Sequence, residues 1–303
     1  MKLVHKGSTK DVYSVNNKYL FKFSNRYSVF DWGEMPDHIP HKGEALALFA
    51  KKTYQDLENQ GIKTHLIDEK VGADEMLLTP FEVIRDVKQM PVKENIFVPL
   101  EVIFRLGVAK GSSLLKRSSS YKEGDRFKEP MVEFTTKLER FDRPLDHKEA
   151  REISNLNDKE WTTLIETTHK IALRLNAIVS KLGIELWDGK VEYALGQFKN
   201  DAREIILVDT IGPDELRLTK NGVLLSKEII RQFYRKSPWY TKLEEVKTTH
   251  GESFKDHIEA PAKLPEDFKV QVENLYTILA ESITKEDSTR LDEVIENLRR
   301  VTL

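Results

Sequence analysis

The 303-residue chain contains no cysteine. Disulfide bridges, thiolate zinc sites and cysteine nucleophiles are therefore excluded from its chemistry. An excess of charge of one sign is missing too, because 48 basic and 50 acidic residues are interspersed and give a net charge of −2. Without a strongly basic arm, the sequence does not favour nucleic acid as a partner.

Long apolar runs are also absent, and the start MKLVHKGSTK has no apolar signal region. We therefore expect a cytoplasmic protein with no membrane partner. The 39% apolar and 32% charged residues are typical of a globular chain, long enough for one large domain or two lobes. A homo-oligomer stays an open alternative, because an apolar helix face can belong to a core or to an interface.

Strand-forming and helix-forming segments follow one another along the chain. Strands are expected at residues 2–4, 12–15, 19–23, 64–67, 76–80 and 97–104. Helices are expected at residues 43–61, 158–182, 226–235 and 266–300. Asp158 is the expected cap of its helix, and the polar segment 110–150 is expected to be loop-rich. Strands first and helices later predict an α+β protein with a small β-rich N-lobe, residues 1–98, and a larger α+β C-lobe, residues 99–303.

The stretch ELWDGKVEYALGQFKNDAREIILVDTIGPDELRL, residues 185–218, concentrates charge in a predicted β-hairpin and its exit turn. Because a strand alternates its faces, Asp188, Lys190 and Glu192 are expected on one side. A two-residue turn at Asn200-Asp201 sets a register in which Glu192 lies directly opposite Asp209. The other face would carry an apolar set: Val191, Tyr193, Leu195, Ile206 and Val208.

Two facing carboxylates repel each other unless a cation lies between them. Mg²⁺ is suited to that place because it prefers carboxylate oxygen ligands. The alternative is a surface hairpin with solvated charges, or an ion pair between Lys190 and a carboxylate. The Pro213-Asp214 turn and Arg217 favour the functional interpretation, whereas a longer loop over residues 200–203 would shift the register and weaken it.

The motif GSTKDVY, residues 7–13, falls between two predicted strands. Gly7 allows backbone amides to approach a ligand, Ser8 and Thr9 offer hydroxyls, and Lys10 adds a cation, a combination that suits a polyphosphate. The spacing is not that of a Walker A loop. An ordinary hairpin turn is the alternative interpretation.

Two irregular segments carry further candidate residues. The loop FSNRYSVFDWGEMPDHIPHKGEALAL, residues 23–48, is long, and long loops inside compact domains are often functional. In VPLEVIFRLGVAKGSSLLKR, residues 98–117, a predicted strand ends at Arg105 and a serine-containing turn follows. Arginine with serine hydroxyls suits a phosphate ester or a carboxylate, but a buried strand and a solvated loop fit equally well. The segment EFTTKLERFDRPL, residues 133–145, gives no independent reason to expect a site.

Taken in order, these motifs closely resemble the SAICAR synthetase (phosphoribosylaminoimidazole-succinocarboxamide synthase) family. The resemblance rests on GSTKDVY, FSNRYSVFDWGEMPDHIPHKGE, PLEVIFRLGVAKGSSLLKR, EFTTKLE, WDGKVEYALG, ILVDTIGPDELRL and LSKEIIRQF. It implies a two-lobed α+β fold with ATP bound between the lobes. The implied reaction joins L-aspartate to the carboxylate of carboxyaminoimidazole ribotide (CAIR) with ATP and Mg²⁺. SAICAR, ADP and phosphate are the products, through an acyl phosphate, in de novo purine biosynthesis.

The resemblance also implies roles for individual residues. ATP would be bound by Gly7, Ser8, Thr9, Lys10, Lys190, Glu192 and Asp209, the last two also holding Mg²⁺. The other substrates would be bound by Asp31, Lys42, Gly43, Arg105, Ser112, Ser113, Asp188, Asp214 and Arg217. Of these, Arg105, the two serines and Arg217 would bind the ribotide phosphate, while Asp31, Lys42 and Gly43 would face the imidazole and aspartate end. Catalytic roles would fall to Lys10, Lys190 and Asp214.

The chain departs from the family pattern at Ser8, where lysine is common, and at Thr210, where a glutamate usually follows the aspartate. These departures leave open a divergent relative that uses the same ATP–Mg²⁺ site as a carboxylate–amine ligase or kinase on another small molecule. A nucleotide-binding or scaffold protein without catalysis is a third alternative. Retention of Lys10, Glu192 and Asp209 argues against it. The residues that would hold adenine are not identified within segment 82–97.

Overall fold

A computed structural model describes residues 1–139 and 142–302. Helices and strands are both present and largely separate along the chain, so the predicted α+β class is confirmed. Contacts divide the chain into two compact units. Unit 1 comprises Met1–Phe49, Lys70–Met76 and Lys220–Leu303, and unit 2 comprises Ala50–Glu69 and Leu77–Thr219. The predicted lobe boundary between residues 98 and 99 stays a prediction.

The elements are as follows. The strands are β1 (Lys2–Lys6), β2 (Lys10–Val15), β3 (Lys18–Phe23), β4 (Glu75–Leu78), β5 (Ile96–Gly107), β6 (Arg126–Thr136), β7 (Pro144–Leu145), β8 (Glu185–Lys199), β9 (Ala202–Val208), β10 (Leu216–Lys220) and β11 (Val223–Leu224). The α-helices are α1 (Lys42–Asn59), α2 (Leu114–Arg117), α3 (His147–Ser154), α4 (Asp158–Ser180), α5 (Glu228–Arg235), α6 (Pro238–His250), α7 (Glu266–Lys285) and α8 (Thr289–Thr302). Short 3-10 helices lie at Val87–Val92 and Gly251–His257.

Unit 1 begins with the antiparallel strands β1, β2 and β3. The tight turn between β2 and β3 uses Asn16 and Asn17 with φ of 48° and 60°, which asparagine tolerates better than most residues. Near the C-terminus, the single helix expected over residues 266–300 is two helices. The left-handed Glu286 (φ 54°) ends α7, and Asp287 accepts a hydrogen bond from the Thr289 N–H at the start of α8.

Unit 2 is built on an antiparallel sheet with strand order β10-β8-β5-β6-β7, and β9 also pairs with β8. The long helix α4 places Leu164, Ile171 and Leu175 in the core. Its cap is Asn157 and not the expected Asp158, because Asn157 and Glu160 form a reciprocal capping box.

Two strand predictions require correction. Segment 110–150 is not loop-rich, because it contains the eleven-residue strand β6. In this strand Val132 and Phe134 are buried, whereas Glu133 and Thr135 lie on the polar face of the sheet. Because this face is polar although the sheet pairs on both sides, the segment resembled a polar loop in the sequence. The strand expected at residues 64–67 is reduced to isolated bridges from Thr64 and Leu66.

None of the helices in the two described stretches of the chain is long and apolar enough to cross a membrane.

Candidate functional site

One face of the unit 2 sheet carries charged and polar side chains. The residues that share it are Glu101 and Arg105 of β5, Glu133 and Thr135 of β6, Asp188, Lys190 and Glu192 of β8, and Arg217 of β10. Partners in register point to the same side, so the prediction that Asp188, Lys190 and Glu192 share a face is confirmed. Burial is deep for charged groups: Glu192 is 3% and Arg105 5% exposed.

The register of the β8–β9 hairpin differs from the prediction. The turn is at Asn200-Asp201 as expected, and Lys199 pairs with Ala202. A register shift between Leu195 and Phe198 then moves the pairing by one residue, so Glu192 lies opposite Val208 and not opposite Asp209. This β-bulge takes up one extra residue, which an argument from turn length alone does not anticipate. Ile206 and Val208 consequently lie on the Glu192 side, and the predicted apolar face is wrong in those two positions.

Asp209 directly follows β9 in a left-handed conformation with φ of 63°. Neighbouring groups brace this strand end: the Tyr54 hydroxyl donates to the Val208 carbonyl at 3.0 Å, and His65 Nε2 lies 3.0 Å from the Asp209 carbonyl oxygen. Burial, and next to it repulsion from the Asp209 carboxylate, raises the pKa of Glu192. The two acids therefore interact without facing each other across the strands.

Three residues of this face and Lys137, which directly follows β6, form what we call the lysine–carboxylate cluster: Glu101, Lys137, Lys190 and Glu192. Lys137 Nζ lies 2.7 Å from Glu192 Oε1 and 3.2 Å from Glu101 Oε1. Lys190 Nζ lies 3.2 Å from the same Glu192 oxygen and 2.5 Å from Glu101 Oε1. The ion pair between Lys190 and a carboxylate, which the sequence offered as the alternative interpretation, is thus present as part of a larger network.

The pKa shifts in this cluster follow from burial opposed by charge. Burial favours neutral Glu101, but the ammonium groups of Lys190 and Lys137 outweigh it and hold the pKa of Glu101 below its usual range. Burial likewise favours neutral Lys190, yet Glu192 and Glu101 raise the pKa of that lysine well above its usual value. Glu101 and Lys190 are therefore both charged at neutral pH.

A second group, the arginine–carboxylate cluster, consists of Arg105, Arg117, Arg217, Glu133 and Asp188. Arg105 Nη1 donates to Asp188 Oδ2 at 3.0 Å, and its Nε donates to Glu133. Arg117 Nη2 donates to the other Glu133 oxygen at 2.7 Å. The Ser113 hydroxyl accepts from Arg105 at 3.1 Å, so this predicted serine lies at the cluster.

Arg217 gives this cluster an unsatisfied donor. Its Nη1 lies 3.4 Å from Asp188 Oδ2, yet this buried atom makes no hydrogen bond to any described residue. Burial raises the pKa of Asp188, against the opposing effect of Arg217 and Arg105. A buried guanidinium nitrogen without a hydrogen bond is a position that an anionic ligand would satisfy.

The remaining predicted residues of unit 2, Ser112 and Asp214, lie within three residues of members or neighbours of the arginine–carboxylate cluster, Ser113 and Arg217. Ser112 is buried, and its hydroxyl accepts from the Leu114 N–H at 3.3 Å, so it shapes the turn before α2. Asp214 lies in the turn that joins β9 to β10, two residues before the first residue of the strand that carries Arg217.

In unit 1, the residues Gly7 to Lys10 form the turn between β1 and β2. The Gly7 N–H donates to the Lys10 carbonyl at 3.0 Å, and a Cβ on Gly7 would lie 2.6 Å from that oxygen, so only glycine fits. Ser24 donates to the Thr9 carbonyl from both its N–H and its hydroxyl, at 2.8 Å each. Arg26 Nη2 donates to the Gly7 carbonyl at 3.1 Å. Ser8 completes this anchored turn.

The loop between β3 and α1 carries the other predicted residues of unit 1. Asp31 is exposed, with Lys247 Nζ 3.3 Å from its Oδ2. Lys42 is fully buried, with Nζ 5.1 Å from the centre of the Tyr276 ring. The Gly43 N–H donates to Asn25 Oδ1 at 3.1 Å, and a Cβ there would lie 2.8 Å from the Phe23 carbonyl oxygen.

Four residues of the two clusters were not predicted: Glu101, Arg117, Glu133 and Lys137. Each of them lies within or beside a segment quoted in the sequence analysis. Glu101 is four residues before Arg105 on β5, so strand alternation places both side chains on one face. This alternation becomes informative only once β5 is known to pair with β6 and β8, and local sequence patterns do not reveal that pairing.

The described residues contain no group of three or more His, Asp or Glu side chains arranged to hold a metal ion. Mg²⁺ nevertheless often binds through one or two carboxylates together with substrate phosphates and water. Glu192 and Asp209 offer two interacting carboxylates, and a cation would relieve the repulsion that, after burial, raises the pKa of Glu192. The residues present therefore fit Mg²⁺ bound together with a phosphate ligand.

An α+β fold whose sheet face buries lysines and arginines among carboxylates points to an enzyme that handles anionic small molecules. A sequence model described as SAICAR synthetase matches residues 3–250. The phosphoribosylaminoimidazole-succinocarboxamide synthase of Thermoplasma acidophilum is 35% identical, over 94% of this chain and 99% of that protein. The chain belongs to the SAICAR synthetase family.

Solved structures agree with this assignment. A SAICAR synthetase in complex with ADP matches with a TM-score of 0.63 and 26% identity, over 86% of this chain and 99% of the other. The SAICAR synthase from Saccharomyces cerevisiae, solved with SAICAR, matches with a TM-score of 0.69 over 94% of this chain and 95% of the other. At 20% identity the latter supports the fold alone.

Proposed function

We propose that this enzyme joins L-aspartate to the carboxylate of CAIR, with conversion of ATP to ADP and phosphate, to form SAICAR. The observation that carries the proposal is the charged face of the unit 2 sheet. It holds a lysine–carboxylate cluster suited to a nucleotide phosphate and a metal, and an arginine–carboxylate cluster with an unsatisfied guanidinium nitrogen. A reaction between two phosphate-bearing substrates uses both.

Lys190, Glu192 and Asp209 are proposed to serve the nucleotide in unit 2. Mg²⁺ held by Glu192 and Asp209 would supply neutralisation of phosphate charge. Lys190 keeps its proton at neutral pH because Glu192 and Glu101 raise its pKa, so it offers a fixed positive charge to the transferred phosphoryl group. Lys137 neutralises Glu192 from a second direction.

The ribotide is proposed to bind at the arginine–carboxylate cluster. Arg105 is held by Glu133 and Asp188, which fixes the plane of its guanidinium group. Arg217 supplies the unsatisfied nitrogen, and serine hydroxyls at positions 112 and 113 complete the phosphate site. Asp188 and Asp214 are proposed to contact the rest of the ribotide, with Asp214 acting in catalysis.

In unit 1, the turn of Gly7, Ser8, Thr9 and Lys10 is proposed to cover the ATP phosphates, with Lys10 as its cation. Its carbonyl groups are occupied by Ser24 and Arg26, so the turn is held in shape before a ligand arrives. Asp31, together with the Lys42-Gly43 start of α1, is proposed to serve the imidazole and aspartate end of the reaction.

The chemistry follows from these residue types. A carboxylate does not form an amide without activation, and phosphorylation of the CAIR carboxylate by ATP gives an acyl phosphate. The ammonium group of L-aspartate loses a proton, and the resulting amine attacks the carbonyl carbon of the acyl phosphate. The C–O bond to phosphate then breaks, phosphate leaves, and the nitrogen gives up its second proton to yield the amide. In each step the protein has to position the reactants and neutralise charge, and no protein nucleophile is required. The absence of cysteine is therefore compatible with this reaction.

Release of ADP with each substrate omitted in turn tests the proposal. We expect rapid ADP formation only when ATP, Mg²⁺, CAIR and L-aspartate are all present, together with SAICAR detected by mass spectrometry. ADP formation that does not depend on CAIR would contradict the proposal and favour a kinase or ligase acting on another small molecule.

Replacing Arg217 with methionine is expected to raise KM for CAIR about tenfold to a hundredfold, because a charge-assisted contact with the phosphate is lost. KM for ATP should change less than about twofold. Steady-state ADP release at varied CAIR and, separately, at varied ATP measures the two constants, and Lys116→Met, which removes an exposed cation of α2, is the control. An equal rise in KM for ATP and CAIR would contradict the assignment of Arg217 to the ribotide.

A further inference from the structure

Two consecutive residues in the loop between β3 and α1 adopt left-handed backbone conformations. Phe30 has φ of 56° and Asp31 has φ of 57°. This region is unfavourable for an aromatic side chain, and backbone strain of this kind persists only where surrounding contacts hold it. Such strained positions often belong to ligand-binding segments.

Lys247 of α6 holds this turn directly. Its Nζ donates to the Phe30 carbonyl at 2.8 Å and lies 3.3 Å from Asp31 Oδ2. The Lys247 side chain is 26% exposed, whereas that of Asp31 is 84% exposed. The lysine therefore fixes the backbone from the protein side while the carboxylate stays open to solvent.

Aromatic side chains of α6 and the second 3-10 helix pack against residues 30–32. The Phe30 ring packs on Tyr240 of α6, with ring centres 4.6 Å apart. Trp32 packs on Trp239 at 5.6 Å and on Phe254 of the second 3-10 helix at 6.2 Å. The segment from α6 through this 3-10 helix thus forms a base for residues 30–32, although all of it lies at least 200 residues later in the chain.

We propose that Lys247 is a positioning residue that holds the Asp31 carboxylate ready for the ammonium group of L-aspartate. This inference rests on the proposed function. Among ATP, CAIR and L-aspartate, only the amino acid carries an ammonium group at neutral pH, and an exposed, fixed carboxylate is complementary to it. Lys247 itself does not touch the substrate and acts through the Phe30–Asp31 turn.

The test compares Lys247→Met with Lys247→Arg, and with Lys242→Met as the matched control, an exposed lysine on the same helix. ADP release is measured at varied L-aspartate and, separately, at varied ATP. We expect K247M to raise KM for L-aspartate about tenfold, because Asp31 is no longer held in place for its charge-assisted contact with the substrate, and to leave KM for ATP unchanged. K247R should restore most of the affinity, and K242M should match the wild type.

A double mutant separates positioning from stability. If Lys247 acts through Asp31, adding K247M to Asp31→Asn should raise KM for L-aspartate little beyond the value of Asp31→Asn alone. Additive effects, or an unchanged KM for L-aspartate in K247M, would overturn the inference. Should K247M fail to fold, Lys247→Gln compared with K247R decides, because equal KM values for these two would overturn it.

Failure of the proposed function would look different. The wild type would then show no ADP release that depends on CAIR and L-aspartate. A wild-type enzyme with that dependence and a K247M variant with normal KM for L-aspartate would overturn the role of Lys247 alone.

Discussion

Replacing Asp209 with asparagine is expected to lower kcat for ADP formation by about 10²–10³-fold without lowering stability. The loss of activity follows because one of the two carboxylates proposed for Mg²⁺ disappears. Stability should change little, since the Asp209 carboxylate repels the buried Glu192, whose pKa is raised by burial and by this repulsion, but also attracts the ammonium groups of Lys190 and Lys137. Asparagine also tolerates the left-handed backbone found at this position, where φ is 63°. Steady-state kinetics and thermal unfolding measure the two effects.

Asp201→Asn is the matched control for this prediction. It removes an acid from the same hairpin, but one that is 76% exposed and paired with Lys159. We expect its kcat to equal that of the wild type. If Asp209→Asn kept full activity, or if it lowered the melting temperature while Asp201→Asn did not, the roles assigned to the Glu192–Asp209 pair would be wrong.

Replacing Glu160 with glutamine is expected to destabilise the protein by about 3–5 kcal/mol. Glu160 and Arg203 are 0% and 2% exposed, and Arg203 donates to both Glu160 carboxylate oxygens, at 2.7 and 2.8 Å. Without the carboxylate, a buried guanidinium is left uncompensated. Arg203 also donates to the carbonyls of Met90 and Lys93, so the first 3-10 helix should loosen as well. Urea unfolding at neutral pH measures the free energy.

The pH dependence of stability gives this prediction a second readout. Burial would raise the pKa of Glu160, but hydrogen bonds from Arg203 outweigh it and hold that pKa below its usual value of 4.5. The stabilisation is therefore complete above about pH 4.5 and is lost as pH falls through the lowered pKa. The difference in free energy of unfolding between the wild type and Glu160→Gln should therefore become smaller in that acidic range. Glu152→Gln, in an exposed pair with Lys148 at 4.0 Å, should show no measurable change.

The hairpin shows how far local patterns reach. Its turn at Asn200-Asp201 and the shared face of Asp188, Lys190 and Glu192 follow from turn chemistry and strand alternation, and both are present. The register shift between Leu195 and Phe198 follows from neither rule, because turn length and strand alternation do not say where an extra residue is inserted. The predicted pairing of Glu192 with Asp209 was therefore wrong by one residue, but the two carboxylates still interact.

The position of Lys137 beside the two glutamates could not be predicted from the sequence. The lysine follows the end of β6 and shows no helical or strand periodicity of its own. The preceding alternation of Val132, Glu133 and Phe134 indicates only a strand with one polar face. Only pairing of β6 with β5 brings Lys137 to Glu101 and Glu192, 36 and 55 residues away in sequence. Local propensity contains no information about such a contact.

The charged face also has a consequence for the order of folding. Lys190 and Glu101 are 89 residues apart in the chain, and the β5–β8 pairing that joins them is non-local. Closing loops of this length is slow relative to helix formation. Helix signals should therefore recover early on refolding, while the charged face proposed as the active site cannot form before the central strands have paired. Enzymatic activity is thus a late reporter of the folding of this chain.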